Sequence, residues 1–446
     1  MRKRIALLTL AGLLLVSVLP QPQAAQTTPD QQLVAEIAKI KAIDNHAHPL
    51  RFVAEGDKPD DEYDALPLEG LEPFALPPRL NPGNPEYIGA WRAVFGYNHG
   101  DMSEAHVKEL LAFKQRTMRE RGDQYPAWVL DQIGIETMFA NRVAMGRGLK
   151  PPRFRWVSFA DPLMFPLNND AARRLNPDYR VFYAGEEKLL KRYLAESKVE
   201  ALPATLDEYL KKVVTATLER QKRDGAVAVK FEAAYLRSLD FYDAPEAEAR
   251  RVYAKYVSGG EPPPGEYKSL QDYLFRYLSR ESGRLGMAVH IHSIDGAGSF
   301  YKQSGSNPQL LESAFNDVGL RKTNFVIVHG GYPYTRQTTS FMGKPNVYAD
   351  FSAQTFLLYP RALSEVLRNW LEFYPDKVLF GTDAFALTPE VGWEEGGWLA
   401  IATARQALAL ALTGMMDDGE ITRERAIELA RMVMRDNAIK LYGLKP

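Results

Sequence analysis

The stretch AIDNHAH, from Ala42 to His48, predicts the fold best. It begins with apolar residues and ends with polar ones, as a barrel strand does when it runs into a site. Residues two apart on a strand share a face, so His46 and His48 can converge on one ion, and neutral imidazole is a common zinc ligand. An HxH pair alone is a weak motif, because two partly buried histidines with satisfied hydrogen bonds have the same sequence.

Seven further segments repeat this form and predict strands. They are Glu136 to Ala140, Phe154 to Phe159, Ala226 to Phe231, Met287 to His292, Asn324 to His329, Asn346 to Phe351 and Lys377 to Thr382. Segments with helical periodicity lie between most of them, at 206–223, 269–285, 362–373 and 398–412, and a last helix is expected from Thr422 as N-cap to Gly443. This alternation, in eight units, predicts an α/β fold of the (β/α)8 TIM-barrel type.

Two regions interrupt the alternation, at about residues 50–104 and 165–203. The first, here called the first insertion, is rich in Pro, Gly, Asp and aromatic residues. It is too long for a simple connection and too apolar for a solvated linker. We expect it and the second insertion to pack over the C-terminal mouth of the barrel, so that residues 26–446 form a single metal-dependent hydrolase barrel.

Residues 1–25 have the order of a secretory signal. Basic residues at positions 2–4 precede an apolar run from Ile5 to Leu19, and small residues follow up to Ala25. A run of about 15 apolar residues is short for a bilayer span, which needs about 20. We therefore expect cleavage near Ala25 rather than an uncleaved anchor helix, and an exported, periplasmic protein with no membrane attachment.

The composition favours chemistry on small molecules. The 55 basic and 56 acidic side chains nearly cancel, so no overall field attracts nucleic acid or an anionic membrane, and the expected partner is a small-molecule substrate. The chain has no cysteine, which excludes disulfides, thiolate nucleophiles and cysteine-ligated metals. Any metal must therefore be held by His, carboxylate or modified Lys side chains.

Several chemically active side chains fall at predicted strand ends, which form the usual active face of such a barrel. Four of the seven histidines do so, namely His46, His48, His292 and His329. Asp383 follows KVLFGT, where an apolar strand breaks at a glycine; a capping Asp is the alternative interpretation. Chance explains the whole constellation poorly.

The same strand ends carry stretches typical of a known superfamily. They are IDNHAHPL (43–50), AVAVKFEAAYLRSL (226–239), HIHSIDGAG (290–298), VIVHGGYPYTRQ (326–337), NVYADFSAQ (346–354), VLFGTDAF (378–385) and DNAIKLYG (436–443). With them the chain resembles the amidohydrolase superfamily of metal-dependent (β/α)8 barrels, in particular its amidohydrolase-related branch. The similarity runs from about residue 40 onward, but no motif covers the two insertions.

The resemblance implies a divalent metal, expected to be one or two Zn²⁺ ions. It implies His46, His48, His292 and Asp383 as ligands, with His329 either a ligand of a second metal or a group that polarises the substrate. It also draws attention to Lys230, because relatives with two metals bridge them with a carboxylated lysine at the end of the fourth strand. The alternative is an unmodified lysine that binds a substrate carboxylate or pairs with Asp.

Other residues are expected around this centre. Strand alternation places Lys230 on one face with two alanines, which leaves room for it inside the barrel. His290 lies one step deeper than His292, so we expect it to support a ligand. His99 and His106 are expected at the surface. Tyr332 and Arg336 follow the sixth strand, where Arg336 could hold a substrate carboxylate.

The expected reaction is hydrolysis of an amide, ester or lactone bond in a small polar substrate. Metal and Asp383 together would activate water, with Asp383 accepting its proton. Two alternatives stay open: decarboxylation or sugar-acid isomerisation on the same ligands, or a non-catalytic periplasmic binding protein on a degenerate barrel. The full ligand set argues against the binding protein, and neither the substrate nor the oligomeric state follows from the sequence.

Overall fold

Eight parallel strands follow one another around a sheet in chain order, in a computed structural model that describes residues 28–66, 68 and 70–445. The expected signal segment lies outside these residues. The strands are β1 Ala42–Ala47, β2 Ile135–Asn141, β3 Phe154–Phe159, β4 Ala226–Phe231, β5 Ala288–His292, β6 Phe325–Val328, β7 Val347–Asp350 and β8 Val378–Leu379. Asn45 N–H donates to the Phe380 carbonyl (2.9 Å) and nearly closes the seam between β1 and β8. The predicted barrel is confirmed.

The helices surround the sheet. They are α1 Gln31–Ala38, α2 Glu86–Phe95, α3 Glu104–Arg121, α4 Tyr125–Ile133, α5 Asp170–Arg173, α6 Tyr179–Glu196, α7 Leu206–Tyr209, α8 Ala216–Arg223, α9 Glu246–Tyr256, α10 Pro264–Arg284, α11 Glu312–Phe315, α12 Thr335–Met342, α13 Gln354–Leu357, α14 Pro360–Phe373, α15 Trp393–Asp417, α16 Arg423–Arg431 and α17 Asn437–Tyr442. The connection between β2 and β3, residues 142–153, contains no helix. The other connections between strands alternate as predicted.

The single helix predicted at the C-terminus is two α-helices, α16 and α17, joined by a π-helical turn at Met432–Asp436, but its first and last residues are as predicted. Thr422 caps α16, its side chain accepting from the Arg425 N–H at 3.3 Å. Gly443 ends α17 in the left-handed conformation, with φ of 61°, which glycine adopts at little cost. Side chains of α17, including Ile439 and Tyr442, pack against the inward-facing residues of the barrel. These helices therefore close the barrel at the end opposite its mouth.

Strand β8 is shorter than the predicted Lys377 to Thr382. Beyond Leu379 the backbone leaves the ladder: Phe380 N–H donates to the Val433 carbonyl (3.2 Å), and Thr382 N–H donates to the Asp44 carboxylate (2.8 Å). Hydrogen bonds to the C-terminal helical segment and to a side chain thus replace sheet pairing of these two N–H groups. The chain is free to turn at this point and to present Asp383 at the barrel mouth.

Helix α15 is long and apolar enough to cross a membrane by length and composition alone. Of its most apolar window, 78% is buried inside the protein. It packs against α14 and α2, so its apolar surface is covered by the fold itself. We interpret it as a core helix of the barrel layer.

Both insertions pack against the mouth. In the first, Arg79 donates to the Thr355 carbonyl (3.1 Å) beyond β7, and the Trp91 indole N–H donates to the Glu390 carbonyl (3.0 Å) beyond β8. In the second, the Tyr193 hydroxyl donates to the Phe159 carbonyl (2.8 Å) at the end of β3. All three contacts are made to C-terminal strand ends or the loops that follow them.

Candidate metal centre

Three ligand-type atoms form a triangle at the mouth. His46 Nε2 lies 3.3 Å from His48 Nε2 and 3.2 Å from Asp383 Oδ1, and His48 Nε2 lies 3.5 Å from the same oxygen. Tetrahedral coordination with bonds of about 2.0–2.2 Å separates ligand atoms by about 3.3–3.6 Å. This ligand triangle (His46, His48, Asp383) therefore fits a single divalent ion.

The backbone around the triangle is shaped to converge. The pairing of β1 with β2 shifts register between Asp44 and Ala47, a local irregularity of the kind that re-aims side chains. Asp383 has φ of 57°, a conformation that costs a non-glycine residue about 1–3 kcal/mol and concentrates at functional sites. Its N–H donates to the His46 carbonyl (2.6 Å), so backbone contact between ligands offsets the strain. A Cβ on Gly381 would come within 2.8 Å of Ser352 Cβ, so this turn requires glycine.

His329 stands beside the triangle in one defined tautomer. Its Nδ1 lies 2.8 Å from Ser352 Oγ, whose own hydrogen goes to the Asp350 carboxylate. Ser352 can therefore only accept, so His329 Nδ1 carries the hydrogen and Nε2 keeps its lone pair. Like Asp383, His329 has a positive φ, of 65°, and its N–H is held by Asp350 at 2.9 Å.

His292 lies next to His329, with ring centroids 4.8 Å apart, and His329 lies 4.9 Å from the His46 ring. His292 Nε2 is buried and has no hydrogen-bond partner among the described residues. Tyr235 packs against its ring at 4.6 Å. A buried imidazole nitrogen left without a partner is unusual, and a metal ligand position is one explanation for it.

Lys230 reaches the triangle from β4. Its side chain is 1% exposed, and its Nζ lies 3.2 Å from His46 Nε2 and 3.8 Å from Glu232 Oε1. The structure thus brings the fourth strand's lysine to the ligand atoms. Its position is compatible with both interpretations of Lys230, the carboxylated bridge and the free amine.

Electrostatics keep the histidines neutral. Burial lowers the pKa of His46, His292 and His329 well below the usual value, and nearby positive charge, including that of Lys230, lowers it further. Neutral imidazoles offer a lone pair to a metal. Burial raises the pKa of Asp383 well above the usual value, although Lys230 opposes the rise. A bound cation would reverse that penalty and favour the carboxylate. The donor set and its orphaned nitrogen therefore fit a divalent metal.

A buried hydrogen-bond chain lies beneath the centre. His290 Nε2 meets the Tyr442 hydroxyl at 2.7 Å, and that hydroxyl donates to Asn45 Oδ1. Asn45 in turn donates to the Asp350 carboxylate (2.7 Å), which fixes the His329 backbone. His290 thus lies in this chain, which connects the floor of the barrel to a residue of the mouth.

Two carboxylates near the triangle were not predicted. Asp64 Oδ2, from the first insertion, lies 3.3 Å from His48 Nδ1, and Glu232 is 4% exposed at the end of β4. Glu232 could have been found, because it lies two residues after Lys230 on the same strand face. Asp64 carries no such signal, since its surroundings have no periodicity.

The remaining predicted residues lie farther out. Tyr332 is half-buried in the loop after β6, and Arg336 is exposed on the first turn of α12. His99 and His106 are each about one third exposed, stack on each other at 3.6 Å and pair with Glu109 and Asp101. None of these four side chains belongs to a cluster of possible metal ligands among the described residues.

Two cavities differ in their relation to the centre. One of about 10 Å³, enough for roughly one water molecule, touches Asp383 and is lined mainly by apolar side chains, including Leu80 and Tyr87 of the first insertion. Another of about 410 Å³ is lined by residues such as Trp156 and Arg192 and includes no residue of the ligand triangle. The ligand geometry, rather than cavity size, identifies the candidate site.

The sequence of this chain is similar to a known protein family and to a named relative. The family model described as amidohydrolase matches residues 43–444. Protein fluG of Emericella nidulans is 30% identical over 232 residues, 49% of this chain, and the match spans about a quarter (26%) of that protein's length.

Solved structures share the fold. Glucuronate isomerase from Caulobacter crescentus superposes with a TM-score of 0.63 at 13% identity, covering 95% of this chain and 96% of that one. A candidate metal-dependent hydrolase from Lactobacillus casei gives a TM-score of 0.58 at 15% identity, covering 92% and 97%. At these identities the likeness shows the barrel and not the reaction.

Proposed function

Since the chain belongs to the amidohydrolase family, a family of metal-dependent enzymes, we propose that it hydrolyses an amide, ester or lactone bond of a small polar substrate. The observation that carries the proposal is the ligand triangle, of which Asp383 is the most exposed member. This carboxylate is 17% exposed at the barrel mouth, whereas His46 is fully buried. A proton acceptor that touches both the metal position and the cleft suits hydrolysis.

The metal that the triangle would hold, proposed to be Zn²⁺, supplies Lewis-acid polarisation and lowers the pKa of water when bound. His46 and His48 would hold it through Nε2. Asp383 Oδ2, which faces His329 Nδ1 at 3.9 Å, would accept a proton and return it to the leaving group. His329, held as the Nδ1–H tautomer, presents Nε2 as an acceptor or ligand and not as a donor to a carbonyl.

Mainly apolar side chains surround one side of Asp383. A cavity of about 10 Å³ touches this residue and is lined partly by the first insertion, so little bulk water reaches that side of the carboxylate. Exclusion of water strengthens the interaction of fixed charges with the reacting group. Tyr332 and Arg336 are proposed to contact the far end of the substrate, with Arg336 pairing with a carboxylate.

Sugar-acid isomerisation is the second candidate. The observation in its favour is the Lys230 and Glu232 pair, which gives the mouth further groups able to accept or donate protons beside His46. Moving hydrogen between adjacent carbons needs such an acid and base, whereas hydrolysis can proceed with Asp383 alone. The glucuronate isomerase named above shares the barrel, but its low identity adds nothing on the reaction.

The deciding experiment is a substrate screen of the purified, zinc-loaded protein in water enriched in ¹⁸O. The screen contains N-acyl and γ-glutamyl amides, lactones, aromatic carboxylic acids and uronic acids. We expect turnover of an amide, ester or lactone with one ¹⁸O atom in the acid product. Turnover should fall by about 10² or more in Asp383→Asn and be retained in the matched surface control His99→Gln. Conversion of a uronic acid to an isomer would show that the enzyme is an isomerase and not a hydrolase. Release of CO₂ from an aromatic acid would show that it is a decarboxylase.

A further inference from the structure

The two insertions deliver carboxylates to one place beside the ligand triangle. Asp64 comes from the first insertion and Glu186 from α6 in the second, while Asp161 and Glu232 follow β3 and β4. Here these four residues are called the acidic pocket. The carboxylate of Asp161 accepts the Glu232 backbone N–H at 2.7 Å. Two of the four carboxylates thus come from the insertions and two from strand ends.

The pocket faces the outer nitrogen of His48. The ring of His48 turns Nε2 toward the triangle and Nδ1 toward Asp64 Oδ2, 3.3 Å away. Ligand atoms of His48, Asp64 and Glu232 all lie within 4.8 Å of one another. The 3.3 Å separation equals the edge expected between two ligands of one ion with bonds of about 2.0–2.2 Å.

Buried carboxylate oxygens in the pocket lack partners. Both oxygens of Glu186, Oε2 of Glu232 and Oδ1 of Asp161 are buried with no hydrogen-bond partner among the described residues. Glu186 is 2% exposed, and its charge interacts with those of Asp161, Glu232 and Asp64. Burial and this mutual repulsion raise the pKa of Glu186 and Glu232 well above the usual value, although the charge of Lys230, whose Nζ lies 3.8 Å from Glu232 Oε1, opposes the rise for Glu232. Unpaired buried carboxyls are costly, and a cation is the natural compensating group.

We propose that the acidic pocket is a second divalent-cation site, with His48 Nδ1, Asp64 and Glu232 as ligands and with Glu186 and Asp161 as buried counter-charges. One nitrogen and several carboxylate oxygens form a donor set that suits Mn²⁺ or Zn²⁺. The ion shares the His48 ring with the ion of the ligand triangle; because a neutral imidazole offers one lone pair, holding both ions makes His48 a bridging imidazolate and releases its ring proton to solvent. It differs from a second ion bridged by a carboxylated Lys230, which would use His292 and His329. The proposal holds whichever reaction the enzyme catalyses.

The test counts Mn²⁺ ions bound to the full-length, metal-stripped protein, by titration with Mn²⁺ and detection of the free ion by electron paramagnetic resonance. Asp64→Asn and Glu232→Gln are each expected to bind one ion fewer than wild type, or to bind it at least about tenfold more weakly. Asp61→Asn removes the same charge from an exposed residue of the same segment and should bind as wild type does. The ion of the triangle should remain in all three.

A second set of variants separates this ion from one held at His292. His292→Ala should leave the Asp64-dependent ion in place. The double variant with His292→Ala and Asp64→Asn should bind fewer ions, or bind them more weakly, than either single variant. Glu186→Gln, which changes a counter-charge and no proposed ligand, should weaken the same ion. Unchanged ion number and affinity in Asp64→Asn and Glu186→Gln would overturn the proposal. So would loss of the triangle's ion in Asp64→Asn, since Asp64 would then only orient His48.

Discussion

The strand ends and the insertions contribute to the mouth of this barrel by different physical means. At the strand ends, backbone pairing positions the ligands: the Asp383 N–H donates to the His46 carbonyl at 2.6 Å, and His329 follows β6 directly. In the first insertion, which lies outside the sheet, side-chain pairs give the anchorage. Arg142 donates to both oxygens of Asp60, at 2.8 and 2.9 Å, and also to the Pro49 carbonyl.

This difference implies a division of labour. The strand-end residues meet at fixed distances because a closed sheet leaves them little freedom. Asp64 is fixed by the contacts that hold its segment, among them the pairs of Asp60 with Arg142 and of Glu62 with Arg192. Substitutions at the strand ends should therefore affect chemistry, whereas substitutions of the residues that anchor the insertion should affect stability and the order of the mouth.

The largest expected effect is at a strand end. Asp383→Asn keeps the shape of the side chain but removes its charge and its capacity to accept a proton. We expect kcat to fall by about 10² to 10⁴. Steady-state kinetics with metal analysis of the same samples measures this, and Asp61→Asn is the control in the insertion. Activity within tenfold of wild type would show that the strand end does not supply the acceptor.

The next effect tests the anchorage of the insertion. The side chains of Asp60 and Arg142 are 2% and 0% exposed, so Asp60→Asn leaves a buried guanidinium poorly compensated. Breaking one partner of a buried pair costs about 3–5 kcal/mol. Denaturant unfolding should show that loss. Asp57→Asn, which breaks an exposed pair with Arg147, should cost less than about 1 kcal/mol.

The pH dependence of stability tests the pair of Asp60 and Arg142 independently. Burial alone would raise the pKa of Asp60, but hydrogen bonds and charge from Arg142 lower it below the usual value. The stabilisation is therefore present above the unfolded pKa of about 3.9 and is lost as pH falls through the lower folded value. The difference in unfolding free energy between wild type and Asp60→Asn should shrink below about pH 4. A constant difference would mean that the charge of Asp60 is not its cause.

The same division explains how much the sequence could predict. Buried parallel strands have apolar runs, and their ends mark the active face, so the eight strands and the strand-end positions of His46, His48, His292, His329 and Asp383 could be predicted from pattern. Lys230 is singled out by the family resemblance, and the roles of all six residues stay predictions. The early end of β8 could not be predicted, because the Thr382 N–H donates to the side chain of Asp44, which is distant in the sequence, and not to the backbone of a neighbouring strand. Asp64 and Glu186 were missed because tertiary packing alone places them, through contacts that no local periodicity encodes.

A smaller effect is expected at Lys230, where the two interpretations differ. If the amine is carboxylated, Lys230→Ala should lower the affinity for one metal by about 10- to 100-fold and be rescued by a short carboxylic acid. If it is a free amine, metal content should hold while KM rises. Metal per chain and kinetics distinguish them, with Lys58→Ala in the first insertion as control. Unchanged metal content and unchanged turnover would exclude both roles.

The smallest expected effect is at Arg336, which belongs to neither the sheet nor the insertions. It is exposed on the first turn of α12, just after the loop that carries His329, and the proposal places its guanidinium at the outer end of the substrate, away from the reacting bond. An exposed ionic hydrogen bond contributes modestly, and Arg336→Gln should raise KM about tenfold for a substrate with a carboxylate while leaving kcat unchanged. Paired assays with the acid and its neutral amide isolate this contact, since only the acid should respond, and Arg119→Gln on α3 controls for lost surface charge. If KM rises equally for the acid and for its amide, Arg336 does not bind the carboxylate, and residues of the insertions would recognise it instead.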